Sequence, residues 1–408
     1  TGQLDQMRLS FTTGTGNYVQ YVLWGTQSGM YTRQVQATSY GYTQDEMCGP
    51  PAGSVGWRNP GTLHTAVLTE LELDTNYFYK YGSNEAGWSP EYSFKSAPKV
   101  GASTGITFVA YGDMGKGQVD GSLEVHLEQN AVATTQNIIN FMSQNELDLV
   151  LHIGDISYAM GYQSGWDEFM YQVLPITTAV PYMTCGGNHE IDYPDSGSYY
   201  NGTDSGGECG VPYERRFPYP NIQFDPSSRN KQHWYSFDYG NVHFVMMSTE
   251  HDFQVGSDQY NWLAEDLAAV DREVTPWVIL SGHRPMYIDS TGFFPASADQ
   301  PVAELLRANV EPLLVKYEVD LAFWGHHHSY QRTCPVNNEV CGSNLPIHVV
   351  IGMAGHDLSQ NLLPQAPVWI EYVDDNEWGY TVIQTTEDSL VMSYYNNNNV
   401  LMDQFELK

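Results

Sequence analysis

The sequence predicts an α/β protein in which a small β-sandwich precedes a larger domain of alternating strands and helices. Residues 1–98 contain short runs of alternating polar and apolar residues, separated by Gly, Asn and Ser, without helical periodicity. From residue 106 to residue 408, apolar runs alternate with segments of helical period, which is typical of α/β domains. A length of 408 residues suits one large and one smaller domain, joined here by a linker at 96–105.

The first domain is predicted to be a small antiparallel sandwich. Alternation of apolar and polar residues marks its strands, because successive side chains of a strand point to opposite faces. The predicted strands are 7–12, 18–24, 64–68, 77–81 and 92–95.

The second domain is predicted from its buried apolar runs and its amphipathic helices. Its predicted strands are 106–111, 147–153, 180–184, 234–239, 242–248, 277–281, 321–324 and 348–351. Its predicted helices are 128–145, 166–173, 258–270 and 302–317. A long loop is expected at 192–230, and antiparallel edge strands are expected at 380–386, 390–395 and 402–407.

Acidic residues dominate the charge of the chain. There are 17 Lys and Arg residues against 48 Asp and Glu residues, which gives a net charge of −31. Such a chain repels polyanions, so we expect no nucleic-acid binding through a basic surface. An anionic substrate would therefore need a local cation at its site. No apolar run approaches the ~18 residues of a membrane span, and we predict none.

The five cysteines favour an oxidising environment. Cys334 and Cys341 flank a short turn-rich segment, which suits a local disulfide. Cys48 and Cys209 lie in Gly-rich loops and are candidates for a pair between the domains. Cys185 ends an apolar strand and is expected to be a buried thiol, although the sequence alone leaves the pairing of Cys48, Cys185 and Cys209 open.

Two further features favour a secreted glycoprotein. Asn201 begins the only glycosylation sequon of the chain. The sequence starts at Thr1 rather than at Met, which fits a processed form. We therefore predict an extracellular location, or a comparable oxidising compartment such as a vacuole or a periplasm.

The segment around Asp155 is the centre of the functional prediction. It follows the apolar strand 147–153, so its carboxylate is expected at the carboxyl edge of a sheet, where open α/β sheets bind ligands. A carboxylate has two oxygens, and one Asp can therefore bridge two cations. Tyr158 follows three residues later and can reach the same place.

Five segments share one pattern: an apolar strand, then Gly at a sharp turn, then side chains that can bind a metal. Gly at each turn allows the backbone to pass close to an ion. The side chains offer oxygen and nitrogen donors without sulfur, a set that suits iron, zinc or manganese. The segments are 112–115, 154–158, 187–190, 282–283 and 325–328.

The His triplet at the last of these segments contains two candidate ligands. If the segment is extended, His326 and His328 point to one face and His327 points to the other. We therefore expect one imidazole for each of two ions, with His327 in a structural role.

This order of motifs resembles the purple acid phosphatases, within the calcineurin-like metallophosphoesterase superfamily. The resemblance implies a fibronectin type III-like sandwich followed by a four-layer α/β/β/α metallophosphoesterase domain. It also implies a dinuclear acid phosphatase that hydrolyses phosphate monoesters of small substrates through a metal-bound hydroxide. The implied ligands of Fe(III) are Asp113, Asp155, Tyr158 and His328, and those of a second ion (Fe(II), Zn or Mn) are Asp155, Asn188, His283 and His326.

A finer resemblance is to plant and algal members likened to diphosphonucleotide phosphatases and phosphodiesterases. It rests on the segments 56–61, 205–210, 248–252 and 332–335. This resemblance adds phosphodiesters and nucleotide pyrophosphates to the expected substrates.

The chain departs from the family pattern at the residues that contact phosphate or protonate the leaving group. Several members carry His in the region that matches 288–301, where this chain has none. His189 is retained, and His251 lies at a strand end. The sequence therefore leaves His189 and His251 as the candidate catalytic residues.

Two other functions remain as alternatives. A non-catalytic secreted binding or adhesion protein would suit the sandwich domain, but such a scaffold has no need of a complete ligand set. A redox role would use the iron together with its tyrosinate.

Overall fold

The computed structural model describes residues 2–14, 16, 18–118, 127–220 and 232–408. Its N-terminal part forms two antiparallel sheets that share one apolar core around Val22, Trp24, Leu68 and Tyr79, in agreement with the predicted sandwich. The strands are β1 Met7–Thr13, β2 Tyr21–Gly25, β3 Arg33–Gln36, β4 Thr38–Tyr40, β5 Thr62–Leu68, β6 Asn76–Ser83, β7 Gly87–Trp88 and β8 Tyr92–Lys95.

The larger domain contains two further sheets and their covering helices. Its strands are β9 Thr107–Tyr111, β10 Leu149–Ile153, β11 Tyr182–Cys185, β12 Tyr235–Tyr239, β13 Val242–Met246, β14 Trp277–Ser281, β15 Leu321–Trp324, β16 Tyr330–Thr333, β17 Val336–Asn337, β18 Val340–Cys341, β19 Ile347–Ile351, β20 Ile370–Asp374, β21 Gly379–Thr385, β22 Leu390–Asn396 and β23 Leu401–Leu407. Its helices are α1 Gln129–Gln144, α2 Ser164–Thr177, α3 Asn188–Ile191, α4 Val211–Arg216, α5 Asp258–Ala269, α6 Asp299–Asn309 and α7 Glu311–Lys316.

The two sheets of this domain pack against each other and are covered by helices on their outer faces. Among the described residues, one sheet has the order β11–β10–β9–β21–β22–β23 and the other the order β12–β13–β14–β15–β19–β16–β20. Phe108 and Phe244 meet between the sheets, with ring centroids 5.2 Å apart. Helix α1 packs on the first sheet, and α5, α6 and α7 pack on the second. The expected α/β/β/α layering is confirmed.

Parallel strands bring the predicted motifs to one rim of the domain. β9, β10 and β11 run parallel in the first sheet, and β14 and β15 run parallel in the second. Each of these strands is followed within three residues by a predicted ligand: Asp113, Asp155, Asn188, His283 and His326, in strand order. Because the carboxyl ends of these strands meet between the sheets, residues far apart in sequence share one site.

The structure corrects several predicted elements. The single helix predicted for 302–317 is two helices, α6 and α7, since Pro312 lacks the N–H that a continuous helix would need. The predicted loop at 192–230 contains α4, and its stretch 221–230 lies outside the described residues. Strand β21 is not at an edge but lies between β9 and β22, so among the described C-terminal strands only β23 forms the sheet edge.

Three strands of the sandwich were not predicted at all: β3, β4 and the two-residue β7. β3 and β4 are mostly exposed and polar, so they lack the apolar alternation that marks a half-buried strand. The strand predicted from residue 18 begins instead at Tyr21.

The cysteines form both proposed disulfides. Cys48 pairs with Cys209, which joins a loop of the sandwich to the larger domain, and Cys334 pairs with Cys341. Cys185 is a free, buried thiol, as predicted. Among the helices in the described ranges, none combines the length and apolar character that crossing a bilayer requires.

The two disulfides are expected to differ in their effect on stability. Cys48–Cys209 closes a sequence separation of 161 residues and Cys334–Cys341 one of 7. Loop-closure entropy then predicts a loss of about 5 kcal/mol for Cys48→Ser with Cys209→Ser, and about 2 kcal/mol for Cys334→Ser with Cys341→Ser. Denaturant unfolding of both double variants measures this. Equal losses would contradict it.

Candidate metal centre

All seven predicted ligands lie at the rim where the parallel strands end. Two groups of three are compact enough to hold an ion, because in each group one ligand atom per residue lies within 4.8 Å of the others. One group is Asp113, Asp155 and His328, and the other is Asp155, His283 and His326. Asp155 belongs to both groups.

The first group is centred on the phenol of Tyr158. Tyr158 Oη lies 3.0 Å from His328 Nε2, 3.2 Å from Asp155 Oδ2 and 3.3 Å from Asp113 Oδ1. All four side chains are buried or nearly so. Burial and the neighbouring carboxylates raise the pKa of Tyr158 well above its ordinary value, so a strong local cation would be needed to ionise it.

The second group is centred on the amide oxygen of Asn188. Asn188 Oδ1 lies 2.9 Å from His283 Nε2 and 2.9 Å from His326 Nδ1. His283 Nε2 is also 3.3 Å from Asp155 Oδ2. Asp155 Oδ2, which also lies near Tyr158 Oη, thereby links the two groups.

The hydrogen bond of His283 Nδ1 leaves the Nε2 lone pair directed at two oxygen atoms. Its Nδ1–H donates to the carbonyl of Ile153 at 3.1 Å, so the neutral imidazole carries its lone pair on Nε2. That lone pair faces the oxygens of Asn188 and Asp155. Electron-pair donors that converge in this way repel one another unless a proton or a metal ion lies between them.

His328 repeats this arrangement in the first group. Its Nδ1–H donates to the carbonyl of Asp357 at 2.7 Å, and its Nε2 faces Tyr158 Oη and, at 3.5 Å, Asp113 Oδ1. The donors are carboxylate, phenol, amide and imidazole, without sulfur, which suits iron, zinc or manganese. The residues present therefore fit a pair of metal ions.

The electrostatic field in the site keeps Asp155 ionised, as a metal ligand must be. Burial acts to raise the pKa of Asp155, but the positive field of His283, His189 and His326 holds it well below its ordinary value. Burial acts to lower the pKa of His283, and Asp155 raises it to about 10. In the metal-free protein a proton on His283 thus balances the shared carboxylate, and a metal ion would replace that proton.

The backbone at the site is strained. Four predicted ligands have left-handed backbone conformations, which non-glycine residues rarely adopt: Asp113 (φ 59°), Asp155 (φ 48°), Tyr158 (φ 49°) and His326 (φ 69°). Each costs of order 1–3 kcal/mol, and such residues cluster at functional sites. Strain at these positions is difficult to explain as packing alone.

Two predicted turn glycines allow close approach. A Cβ at Gly154 would lie 2.2 Å from His283 Nδ1, and a Cβ at Gly325 would lie 2.5 Å from Asp113 Oδ2. Only glycine therefore fits between these strands and the side chains that cross above them.

The side chains of the His triplet point as predicted, but the backbone conformation differs from the extended one that was expected. The segment is not extended, because His326 is left-handed and tight turns join His327 N to the Gly325 carbonyl and Ser329 N to the His327 carbonyl, both at 2.8 Å. His326 and His328 still face the site. His327 faces away, with its ring nitrogens 2.7 Å from Ser329 Oγ and 3.0 Å from Asn361 Oδ1.

The two candidate catalytic histidines lie in different surroundings. His189 Nε2 is 3.8 Å from Asp155 Oδ2, and the ring packs against Tyr158 at a tilt, with centroids 4.7 Å apart. The ring of His251 instead stacks on His233, with centroids 4.1 Å apart, and its Nδ1 is 2.8 Å from Ser248 Oγ. The structure therefore brings His189 to the ligand cluster, while His251 packs against His233.

Comparison with known proteins places this geometry in a family. Residues 1–96 match the profile described as purple acid phosphatase, N-terminal domain, and residues 106–330 match calcineurin-like phosphoesterase. Residues 345–404 match iron/zinc purple acid phosphatase-like protein C. The chain belongs to the purple acid phosphatase family.

Three members illustrate the relationship. "Probable inactive purple acid phosphatase 27" of Arabidopsis thaliana is 38% identical to this chain. The aligned region covers 99% of this chain and 67% of the relative. A nucleotide pyrophosphatase/phosphodiesterase of Hordeum vulgare is 35% identical, over 76% of this chain and 84% of the relative. The structure of purple acid phosphatase PPD1 from yellow lupin (Lupinus luteus) seeds superposes with a TM-score of 0.88 at 36% identity, covering 99% of this chain and 72% of that one.

These matches confirm the family. The chain spans about two thirds of the length of the Arabidopsis relatives it matches. Several of those relatives carry the words "probable inactive" in their names.

The candidate centre also contains residues to which the sequence assigned no role. The buried carboxylate of Glu190 accepts a hydrogen bond from Ile156 N at 2.8 Å and another from Gly187 N at 2.9 Å. It thus fastens two ligand-bearing turns together. Burial and the nearby Asp155 raise the pKa of Glu190 to about 8. In the sequence, only the position of Glu190 next to His189 indicates that it lies near the site.

Arg284 and His356 are further neighbours of the site. The buried Arg284 guanidinium donates from Nε to Glu250 at 2.8 Å and lies 3.4 Å from His326 Nε2. The ring of His356 packs against that of Tyr158 at a tilt, with centroids 4.2 Å apart. Burial, followed by the charge of His328, lowers the pKa of His356 to about 3, so the ring is neutral.

Gly187 offers a test of the close packing at this centre. A Cβ there would lie 2.2 Å from Asp155 Oδ1 and 2.8 Å from His283 Nε2, although the backbone φ of −105° suits any residue. Gly187→Ala is therefore expected to cost roughly 1–3 kcal/mol through crowding. It should also lower the bound metal content, measured by elemental analysis alongside thermal unfolding.

A matched control is Gly41→Ala, whose Cβ would have no atom nearer than 3.8 Å. This variant should keep wild-type stability and metal content. An unchanged metal content in Gly187→Ala would contradict the packing argument.

Proposed function

We propose that this chain is a dinuclear metal-dependent acid phosphatase whose main substrates are phosphate monoesters. The observation that supports this best is the shared carboxylate: two ligand groups, each sufficient for one ion, have Asp155 in common. A single structural ion would need only one such group. Two adjacent ions are the arrangement that phosphoryl-transfer enzymes use to clamp a phosphate.

The proposed ligands follow from the two groups. Fe(III) would be held by Asp113, Asp155, Tyr158 and His328, and a second ion (Zn, Fe or Mn) by Asp155, Asn188, His283 and His326. The family's iron/zinc character supports this pair of metals. When bound, the ions would neutralise phosphoryl oxygens and lower the pKa of a water molecule at the site.

His189 is proposed to donate a hydrogen bond to the substrate. Its Nδ1 is 3.1 Å from the carbonyl of Asp204, which fixes the ring and leaves Nε2 directed at the ligand cluster. With 22% of its side chain exposed, the ring is accessible from solvent. With Nδ1–H bonded to Asp204, a proton on Nε2 makes the ring an imidazolium, which can give that proton to the leaving-group oxygen or stabilise charge on the phosphoryl group. His251 remains the second candidate for this role.

The substrate range is proposed to extend to phosphodiesters or nucleotide pyrophosphates. The printed name of the barley relative, nucleotide pyrophosphatase/phosphodiesterase, supports this extension. The two disulfides support a secreted or other oxidising location for the protein.

A second candidate function is phosphate-ester binding without turnover. It is favoured by the "probable inactive" names of several relatives and by the absence of His from 288–301. Calorimetry with inorganic phosphate and a hydrolysis assay separate the two functions. Binding without hydrolysis by the metal-loaded protein would favour the second.

Chelation tests the proposed metal dependence. p-Nitrophenyl phosphate should be hydrolysed at pH 5, and removal of metal by a chelator should reduce hydrolysis to the background rate because the clamp is lost. Re-addition of Fe(III) and Zn²⁺ should restore it. Full activity in metal-free, folded protein would overturn the proposal.

Asp155→Ala tests the shared carboxylate. This variant should lose both ions, because each group loses a ligand, whereas Asp113→Ala should chiefly affect one. Elemental analysis of each variant gives the metal content, and Asp388→Ala, an exposed carboxylate in the turn before β22, is the control. Two bound ions in Asp155→Ala would contradict the bridging role.

A further inference from the structure

Asp204 contacts two neighbouring residues of the proposed site with two different atoms. Its carboxylate Oδ2 accepts a hydrogen bond from Asn188 Nδ2 at 2.9 Å. Its backbone carbonyl lies 3.1 Å from His189 Nδ1. No motif in the sequence marks Asp204, and it lies 16 residues beyond Asn188 in the long loop that follows α3.

The carboxylate determines which end of the Asn188 amide faces the metal centre. With Nδ2 bonded to Asp204, Oδ1 is directed at His283 Nε2 and His326 Nδ1. A flipped amide would present its NH₂ group there, and an NH₂ group has no lone pair to offer to a cation. Because Nδ2 would then also lose its acceptor, the hydrogen bond favours the binding orientation.

The carbonyl performs a similar function for His189. By accepting from Nδ1–H it fixes the tautomer and the plane of the ring, so that Nε2 faces Asp155 Oδ2 at 3.8 Å. This contact belongs to the backbone and therefore survives any substitution of the Asp204 side chain. The two contributions can be separated by mutation.

The loop around Asp204 is held from both sides. Ser205 N donates to the carbonyl of Asp192 at 3.2 Å, and Gly206 N donates to the carbonyl of Thr203 at 2.9 Å. Five residues beyond Asp204, Cys209 is bonded to Cys48 of the sandwich. Asp204 is thus supported by a fixed backbone rather than by a free loop.

We propose that Asp204 is a positioning residue that orients Asn188 for the second metal ion. The inference rests on the proposed dinuclear function, since it concerns one ligand of that centre. Residues behind a metal ligand typically change metal affinity by 10–100-fold when removed. Asp204 contacts no proposed ligand of the first group, so its effect should be confined to one ion.

The test compares Asp204→Ala and Asp204→Asn by titrating Zn²⁺ into the chelator-treated protein in a calorimeter. Asp204→Ala should weaken one of the two binding events by about 10–100-fold and leave the other unchanged. Asp204→Asn keeps an acceptor oxygen for Asn188 and should restore most of the lost affinity. The exposed Asp195 lies in the same loop without such a contact, and Asp195→Asn should bind both ions as the wild type does.

A second measurement identifies the ion that is affected. The visible absorption of Fe(III) bound to tyrosinate reports the ion at Tyr158, and this band should be unchanged in Asp204→Ala. The unfolding temperature of the metal-free protein should also be unchanged, which distinguishes orientation of a ligand from a general loss of structure.

The possible results have separate meanings. Wild-type affinity for both ions in Asp204→Ala, or an equal loss at both with a lower unfolding temperature, would overturn the role of Asp204. Failure of the wild-type protein to bind two ions would instead overturn the proposed function. Selective loss of one ion with rescue by Asp204→Asn would support both.

Discussion

The organisation of this molecule follows from burying two carboxylates side by side. Asp113 and Asp155 are almost inaccessible to solvent, and charged groups in such a place are stable only beside compensating positive charge. His283 and His328, whose pKa values the carboxylates raise, and, in the proposed function, two metal ions supply that charge. The surrounding architecture, with five parallel strand ends, close-fitting glycines and strained turns, brings the compensating groups within reach of the carboxylates.

Much of the centre was predictable from sequence because its chemistry is local. Each predicted ligand directly follows an apolar strand and a turn, and the structure brings all seven to one rim. The two-domain order and the Cys334–Cys341 disulfide were predictable for the same reason, since apolar alternation and turn residues are local signals. The Cys48–Cys209 disulfide was one of the pairings that the sequence left open. Strands such as β3 carry no such signal, because their side chains are exposed and polar.

The residues behind the ligands were not predictable, since their roles are defined only by folding. Glu190 bonds to Ile156 across two loops, and Asp204 reaches back over 16 residues to Asn188. The ring of His251, which the sequence also named as a candidate, stacks on His233, and its role stays a prediction. Spacing along the chain specifies which side chains can bind a metal, and only the packing specifies what orients them.

The disulfide between the domains has a consequence for how the chain is made. Cys48 leaves the ribosome long before Cys209, and Cys185 emerges between them. During vectorial synthesis the first thiol must therefore wait, while an incorrect partner becomes available earlier than the correct one. Early closure of β11 beside β10, which buries Cys185, would keep that thiol out of competition. Pairing of β11 with β10 before Cys209 emerges would thus favour the correct disulfide.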